Sequence, residues 1–317
     1  MTQENLKSYK GLSFGMLFFA AIMLAVGLPL RIFQQLRLVE ANGFWRRAEA
    51  TQILLYVLIA ALVLVPACCA YFARRKAAMD LTRRRRVPEG IAALLAACAM
   101  AADAVNVGRL AAEMLRTLAL NAGGDQSQTV FRSGAAAACA EAVCAAGGAL
   151  LFSTLAMADF FPKKKIFLNR LLLLAPVIWA ASGMLRRFAR TINYLRVSDL
   201  FLGIITLAAL TLFFLYFAQL FGGISDEGRA ARLLGMGIPA AVLCLLCFVP
   251  RIVAAFNGVA LSQDATLDLW ALALPVFIFI TIAGRFLSAV PQVLSAVPQP
   301  HETAAEIAQE QQEQEDM

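Results

Sequence analysis

A chain of 317 residues that is 61% apolar and only 15% charged departs from water-soluble domains, which average about 45–50% and about 25%. The excess apolar surface has to face lipid. A net charge of +7 is accounted for by basic loops between apolar segments, so composition calls for a bilayer and for no nucleic-acid partner.

A hydrocarbon core roughly 30 Å thick takes about twenty helical residues per crossing. Stretches of that size predict an all-α polytopic membrane protein with about eight transmembrane helices within residues 1–289. The expected crossings are 12–30, 51–71, 90–109, 134–158, 170–186, 199–221, 233–255 and 267–286.

Lys7 and Lys10 precede the first crossing as they would a signal peptide. Its apolar run is too long, however, and no small-residue cleavage site follows closely, so it reads as a retained helix. Gly11-Leu12-Ser13-Phe14-Gly15 fits the pattern of a hydrolase nucleophile elbow. That motif needs a strand, a turn, a helix and a nearby histidine, whereas this one opens a membrane helix and the single histidine is His301. The sequence therefore predicts no enzyme, and neither a serine–histidine pair nor haem ligation within the membrane is available.

After the second crossing, residues 73–86 read ARRKAAMDLTRRRR, the densest basic cluster in the chain. Such a loop is expensive to translocate and belongs in the cytoplasm. With it the N- and C-termini fall on the cytoplasmic side of a cell membrane, and 16 basic residues lie inside against 12 outside. Anchoring the topology is the plain role of this loop; gripping anionic lipid headgroups or a phosphorylated protein partner is the sharper one.

The third and fourth crossings hold the nearest approach to a functional signal. A charge in hydrocarbon costs several kcal/mol and tends to be kept for use. Asp103 lies six residues before the expected outer end of the third crossing, and Glu141 seven residues into the fourth. At 1.5 Å per residue both come roughly 10 Å below the same surface. Asn106 and Arg109 follow Asp103 at three and six residues. Converging, these four make a candidate ligand site: Asp103 and Glu141 share a proton or bind a cation or amine, Asn106 orients, and Arg109 is the counter-ion. A third crossing ending near Ala102 and a fourth starting near Ala142 would instead leave both carboxylates at the interface. Small residues from Ala92 to Ala102 and from Ala135 to Gly148 permit close backbone approach. They predict a central position for crossings three and four, with the Leu-, Phe- and Ile-rich crossings six and eight facing lipid.

Three short matches relate the two halves: Leu30-Arg31-Ile32-Phe33 with Leu185-Arg186-Arg187-Phe188, Tyr71-Phe72-Ala73 with Tyr216-Phe217-Ala218, and Val107-Gly108-Arg109 with Val249-Pro250-Arg251. They are collinear and consistent with a weak four-plus-four duplication of parallel topology. Arg31, Arg109, Arg186 and Arg251 all close odd-numbered crossings. They fall on one side, where arginines commonly snorkel to headgroups and otherwise form a cationic mouth.

Cys244 and Cys247 form a CxxC inside the seventh crossing. All seven cysteines lie in or beside apolar segments and read as small packing residues. With no second CxxC and no membrane histidine, neither a zinc site nor another metal is expected. No Walker A or dinucleotide-binding glycine fingerprint occurs, so no cofactor is expected. Beyond the last crossing, LSAVPQ repeats at 287–292 and 294–299, and residues 301–317 carry six acidic and no basic side chains. Residues 290–317 are expected to form a disordered acidic tail.

These readings leave a small-solute transporter or transporter membrane subunit, and as the alternative a non-catalytic scaffold or sensor that binds lipid or a membrane or cytoplasmic protein. Reporter fusions after Lys76 and Lys164 test the orientation. A cytoplasm-only reporter is expected to be active at both positions; periplasm-type activity at either one inverts the topology.

Overall fold

The computed structural model describes residues 3–39, 50–73, 87–120, 134–161, 170–190, 198–222, 229–258 and 268–284. These are 96% helical and contain no strands. The helices are α1 (Gln3–Arg37), α2 (Ala50–Ala73), α3 (Val87–Leu120), α4 (Ala135–Phe160), α5 (Arg170–Arg190), α6 (Ser198–Phe221), α7 (Arg229–Phe256) and α8 (Trp270–Ile282). Helix is the form in which an apolar segment satisfies its own backbone groups in lipid. The first seven are long and apolar enough to cross a membrane. The eighth has 13 described residues, a rise of roughly 20 Å, short of a full crossing. The chain is thus a membrane-embedded, multi-pass helical protein. Residues 74–86 of the basic loop and the tail at 290–317 lie outside the described residues.

Two boundaries bear on the candidate residues. Helix α3 runs eleven residues past the expected end at 109. Residues 110–120 contain neither glycine nor proline, and bilayer thickness limits the apolar run rather than the helix. Asp103 therefore occupies the middle of a 34-residue helix. Helix α4 starts at Ala135, directly after Gly134, so Glu141 lies nearly two turns inside it. Gly134 has φ 77°, and a Cβ there would stand 3.3 Å from Ala189 Cβ. Glycine supplies both the left-handed backbone and the close approach of α4 to the end of α5.

Six helices form a closed ring. Each of α3, α4, α5, α6 and α7 packs on its successor, and α8 returns to α3. Helices α1 and α2 pack on each other and on the outer flank of α7. Enclosed on both sides, α7 has 83% of its most apolar stretch buried, against 61% for α6, 50% for α3 and 39% for α4. The expectation that crossings three and four are central while six and eight face lipid is therefore corrected. Small residues do bring α3 and α4 together: a Cβ on Gly148 would stand 2.7 Å from Met100 Cε. They cannot fill a ring, however, and the large side chains of α6 and α8 do so.

That filling is aromatic. Phe152 of α4, Trp179 of α5, Phe213, Phe214 and Phe217 of α6, and Trp270 and Phe277 of α8 are all buried. They meet largely edge to face, with centroid separations of 5.0 Å for Phe152–Phe277, 5.2 Å for Trp179–Trp270 and 6.4 Å for Trp179–Phe214, the arrangement ring quadrupoles favour. Packing repeats only in part between the halves: the pairs α1–α2 and α3–α4 recur as α5–α6 and α7–α8, but the surroundings of the third helix of each half differ. Helix α7 packs against α1, α2, α6 and α8, whereas α3, its counterpart in a four-plus-four repeat, packs against α4 and α8. Arg251 is buried, and its sequence counterpart Arg109 is exposed.

Candidate functional site: a buried charge cluster at one end of the ring

The antiparallel register of α3 and α4 fixes the depth of each carboxylate. A Cβ on Gly108 would face Ala142, and one on Gly148 would face Met100. Paired residue numbers thus sum to about 250, so Glu141 is level with Gly108, while Asp103 lies five residues deeper, about 7 Å along the helix axis. The two carboxylates occupy separate tiers rather than one depth.

Helix α5 serves both tiers, because Trp179 and Arg186 are seven residues apart and so share a face two turns apart. In the upper tier Arg186 grips Glu141 bidentately, with Nε donating to Oε2 at 2.5 Å and Nη2 to Oε1 at 3.1 Å. In the lower tier Trp179 Nε1 donates to Asp103 Oδ2 at 2.8 Å. Gly183 lies between these levels on α5; a Cβ there would stand 2.9 Å from Glu141 Oε1, so glycine leaves the room in which Glu141 reaches its partner.

Two more helices complete the cluster. Arg187, next to Arg186, brings Nη2 within 3.5 Å of Asp268 Oδ2, and Arg251 of α7 brings Nη1 within 4.0 Å of the same oxygen. Asp268 precedes α8, where its backbone carbonyl accepts from the N–H of Ala271. Asp103, Glu141, Arg186, Arg187, Arg251 and Asp268 all lie within electrostatic reach of others in the group. Four helices and the residue leading into α8 therefore contribute three carboxylates and three guanidiniums at one end of the ring, above the aromatic filling. Isolated charges there would be very costly; mutual pairing is what makes the arrangement tenable.

Of the four residues singled out in sequence, the structure brings Asp103 and Glu141 into this cluster, each with its own partner. Asn106 and Arg109 are exposed. A 3.6-residue period keeps Asp103, Val107 and Ala111 on the buried stripe of α3 and places positions 106 and 109 on its flanks. The counter-ion role expected of Arg109 belongs to Arg186. Snorkelling likewise does not describe Arg31 or Arg251, which are buried at 1% and 5% exposure. The cluster's arginines announce themselves in sequence only as helix-closing charges, and Asp268 as the opening of α8. The placement of Arg186 and Arg251 on one side, and the Trp179–Arg186 spacing, are the available signals.

At the opposite end of the same helix pair, Glu89 and Asp159 are also buried. A Cβ on Gly90 would meet Asp159 Cβ at 3.3 Å, so the α3–α4 seam carries carboxylates at both ends. Among the described residues no group of three or more His, Cys, Asp or Glu is arranged to hold a metal. Cys244 and Cys247 are buried in α7, with Cys247 Sγ 3.2 Å from Thr206 Oγ1.

No protein-family model, curated protein or solved structure matches this chain. The site's own geometry therefore carries the functional argument.

Replacing Glu141 by Gln strands the Arg186 guanidinium. Thermal unfolding of the full chain in lipid nanodiscs is expected to show a loss of about 3–5 kcal/mol, most of it recovered when Arg186 is replaced by Leu in a Glu141→Leu background. An unchanged midpoint for Glu141→Gln alone would mean that Arg186 is solvated.

Proposed function

We propose that the protein is a small-solute transporter, or the membrane subunit of one, that takes its solute at the charge cluster. It resides in the cell membrane with both termini cytoplasmic and performs no chemical conversion of its own. The observation that carries this reading is the meeting of three arginines and three carboxylates, from four helices and the residue leading into α8, at the mouth of a ring filled below by aromatic side chains.

A paired network of this kind suits exchange. A polar solute brings its own charge or hydrogen-bonding groups, and these can replace internal partners without leaving a guanidinium or carboxylate bare in a medium of low dielectric. The aromatic layer then acts as the closed side of the site. Two prolines stand where motion is needed: Pro176 lies one turn before Trp179, and Pro250 adjoins Arg251. Each removes an intrahelical hydrogen bond and so provides a place at which α5 or α7 can bend.

The second reading, a scaffold or sensor that binds lipid or a protein partner, draws support from that same layer. Phe152, Phe213, Phe214, Phe217 and Trp179 are at most 1% exposed, as expected of a bundle packed solid. Uptake into proteoliposomes separates the two, with radiolabelled amino acids, small carboxylates and polyamines as probes. Transport predicts saturable uptake of at least one probe by the wild type and a loss of about tenfold or more in Asp103→Asn. Folded wild-type protein that takes up none of them would overturn transport in favour of the scaffold.

A further inference from the structure

Within the cluster the two adjacent arginines of α5 are used differently. Arg186 closes a two-bonded fork on Glu141. Arg187 makes one ionic contact, at 3.5 Å to Asp268, and its Nη1 is buried with no hydrogen-bond partner among the described residues. A guanidinium offers five donors in a planar fork that matches a two-oxygen acceptor. Leaving such a donor buried and unmade is costly.

The surroundings of Arg187 favour an anion. Arg251 converges on the same Asp268 oxygen from α7, at 4.0 Å, so Asp268 lies at ion-pair distance from two cations. Asp268 also stands at the N-terminal end of α8, where the helix dipole attracts negative charge. On α6, Gly203 faces Arg187: a Cβ there would stand 3.8 Å from its Nε, so no side chain from that position covers the guanidinium. The Arg187 and Asp268 side chains retain 13% and 16% exposure, which leaves the group reachable from the end of the ring.

We propose that Arg187 and Arg251, with the N-terminus of α8, form a subsite for the oxyanion group of a small ligand, a carboxylate or a phosphate, which Arg187 takes as a fork while Asp268 yields its loose contact. This rests on the cluster being the solute site and specifies the chemistry of what binds there. The acceptor can belong to a free solute or to a lipid headgroup.

The test uses the full chain in nanodiscs of zwitterionic lipid. Acetate and inorganic phosphate are titrated against chloride at constant ionic strength, with the thermal unfolding midpoint as readout. At least one oxyanion is expected to raise the midpoint of the wild type saturably. In Arg187→Lys, which keeps the charge and loses the fork, its apparent affinity falls about tenfold or more, the scale of a lost charge-assisted hydrogen bond. Arg109→Lys, an exposed control, leaves that affinity unchanged. Nanodiscs containing phosphatidylglycerol distinguish the sources: a stabilisation by this lipid that disappears in Arg187→Lys assigns the oxyanion to a headgroup. No stabilisation of the wild type by acetate, phosphate or phosphatidylglycerol overturns the proposal whether or not the variant folds, and so does equal stabilisation of wild type and Arg187→Lys. Binding without uptake would sink the transport reading and leave the subsite standing. Uptake with none of these three stabilising the wild type would do the reverse.

Discussion

The arrangement depends on how a charge is kept inside a membrane protein. Glu141 and Arg186 solve it with a bidentate pair joining α4 and α5, and the remaining charged groups extend the solution to α3, α7 and the start of α8. Removing one partner leaves a bare charge, so each group holds the others' helices in place. The ring can close through the short α8 because Asp268, just ahead of it, gives α5 and α7 a common anchor. The aromatic layer contributes in a different way. It fills the volume beneath the charges, so that water has no dry void to enter, and through the Trp179 N–H it gives Asp103 a neutral partner at depth.

The division of labour among helices follows from side-chain size. Alanine and glycine make α3 and α4 neighbours at short range, and the buried carboxylates of this seam sit where two small-faced helices meet. Phenylalanine and tryptophan on α5, α6 and α8 supply bulk. Helix α7 is central because α1, α2, α6 and α8 all pack on it, which buries most of its apolar length. Pro250 adjoins Arg251 and Pro176 lies one turn from Trp179, which couples bending of α5 or α7 at these points to the polar groups they carry.

Sequence conveyed the class of fold because bilayer thickness is written directly into the length of apolar runs. The buried acidic residues were legible for a related reason: Asp103 and Glu141 interrupt such runs, and charge in hydrocarbon is costly enough to stand out. Their partners were not. Arg186 and Arg187 end a crossing, where arginine is ordinary, and pairing across helices depends on which faces meet, which no single helix reveals. Asn106 and Arg109 were nominated by proximity along the chain, yet the 3.6-residue period turns them off the buried stripe. The assumption of equal depth failed because α3 continues past the membrane limit, so counting from its expected end misjudged the register with α4. Central and peripheral helices were misassigned because small residues indicate close contact and say little about enclosure.

The most direct test of a buried, internally paired charge cluster is an experimental density map of the full chain in a lipid nanodisc, sharp enough to place the Arg186, Arg187 and Glu141 side chains. The account predicts the two-bonded Arg186–Glu141 fork inside the bundle and Arg187 beside Asp268 at the mouth of the ring. Arg186 turned outward to the headgroups, with Glu141 in water, would contradict it.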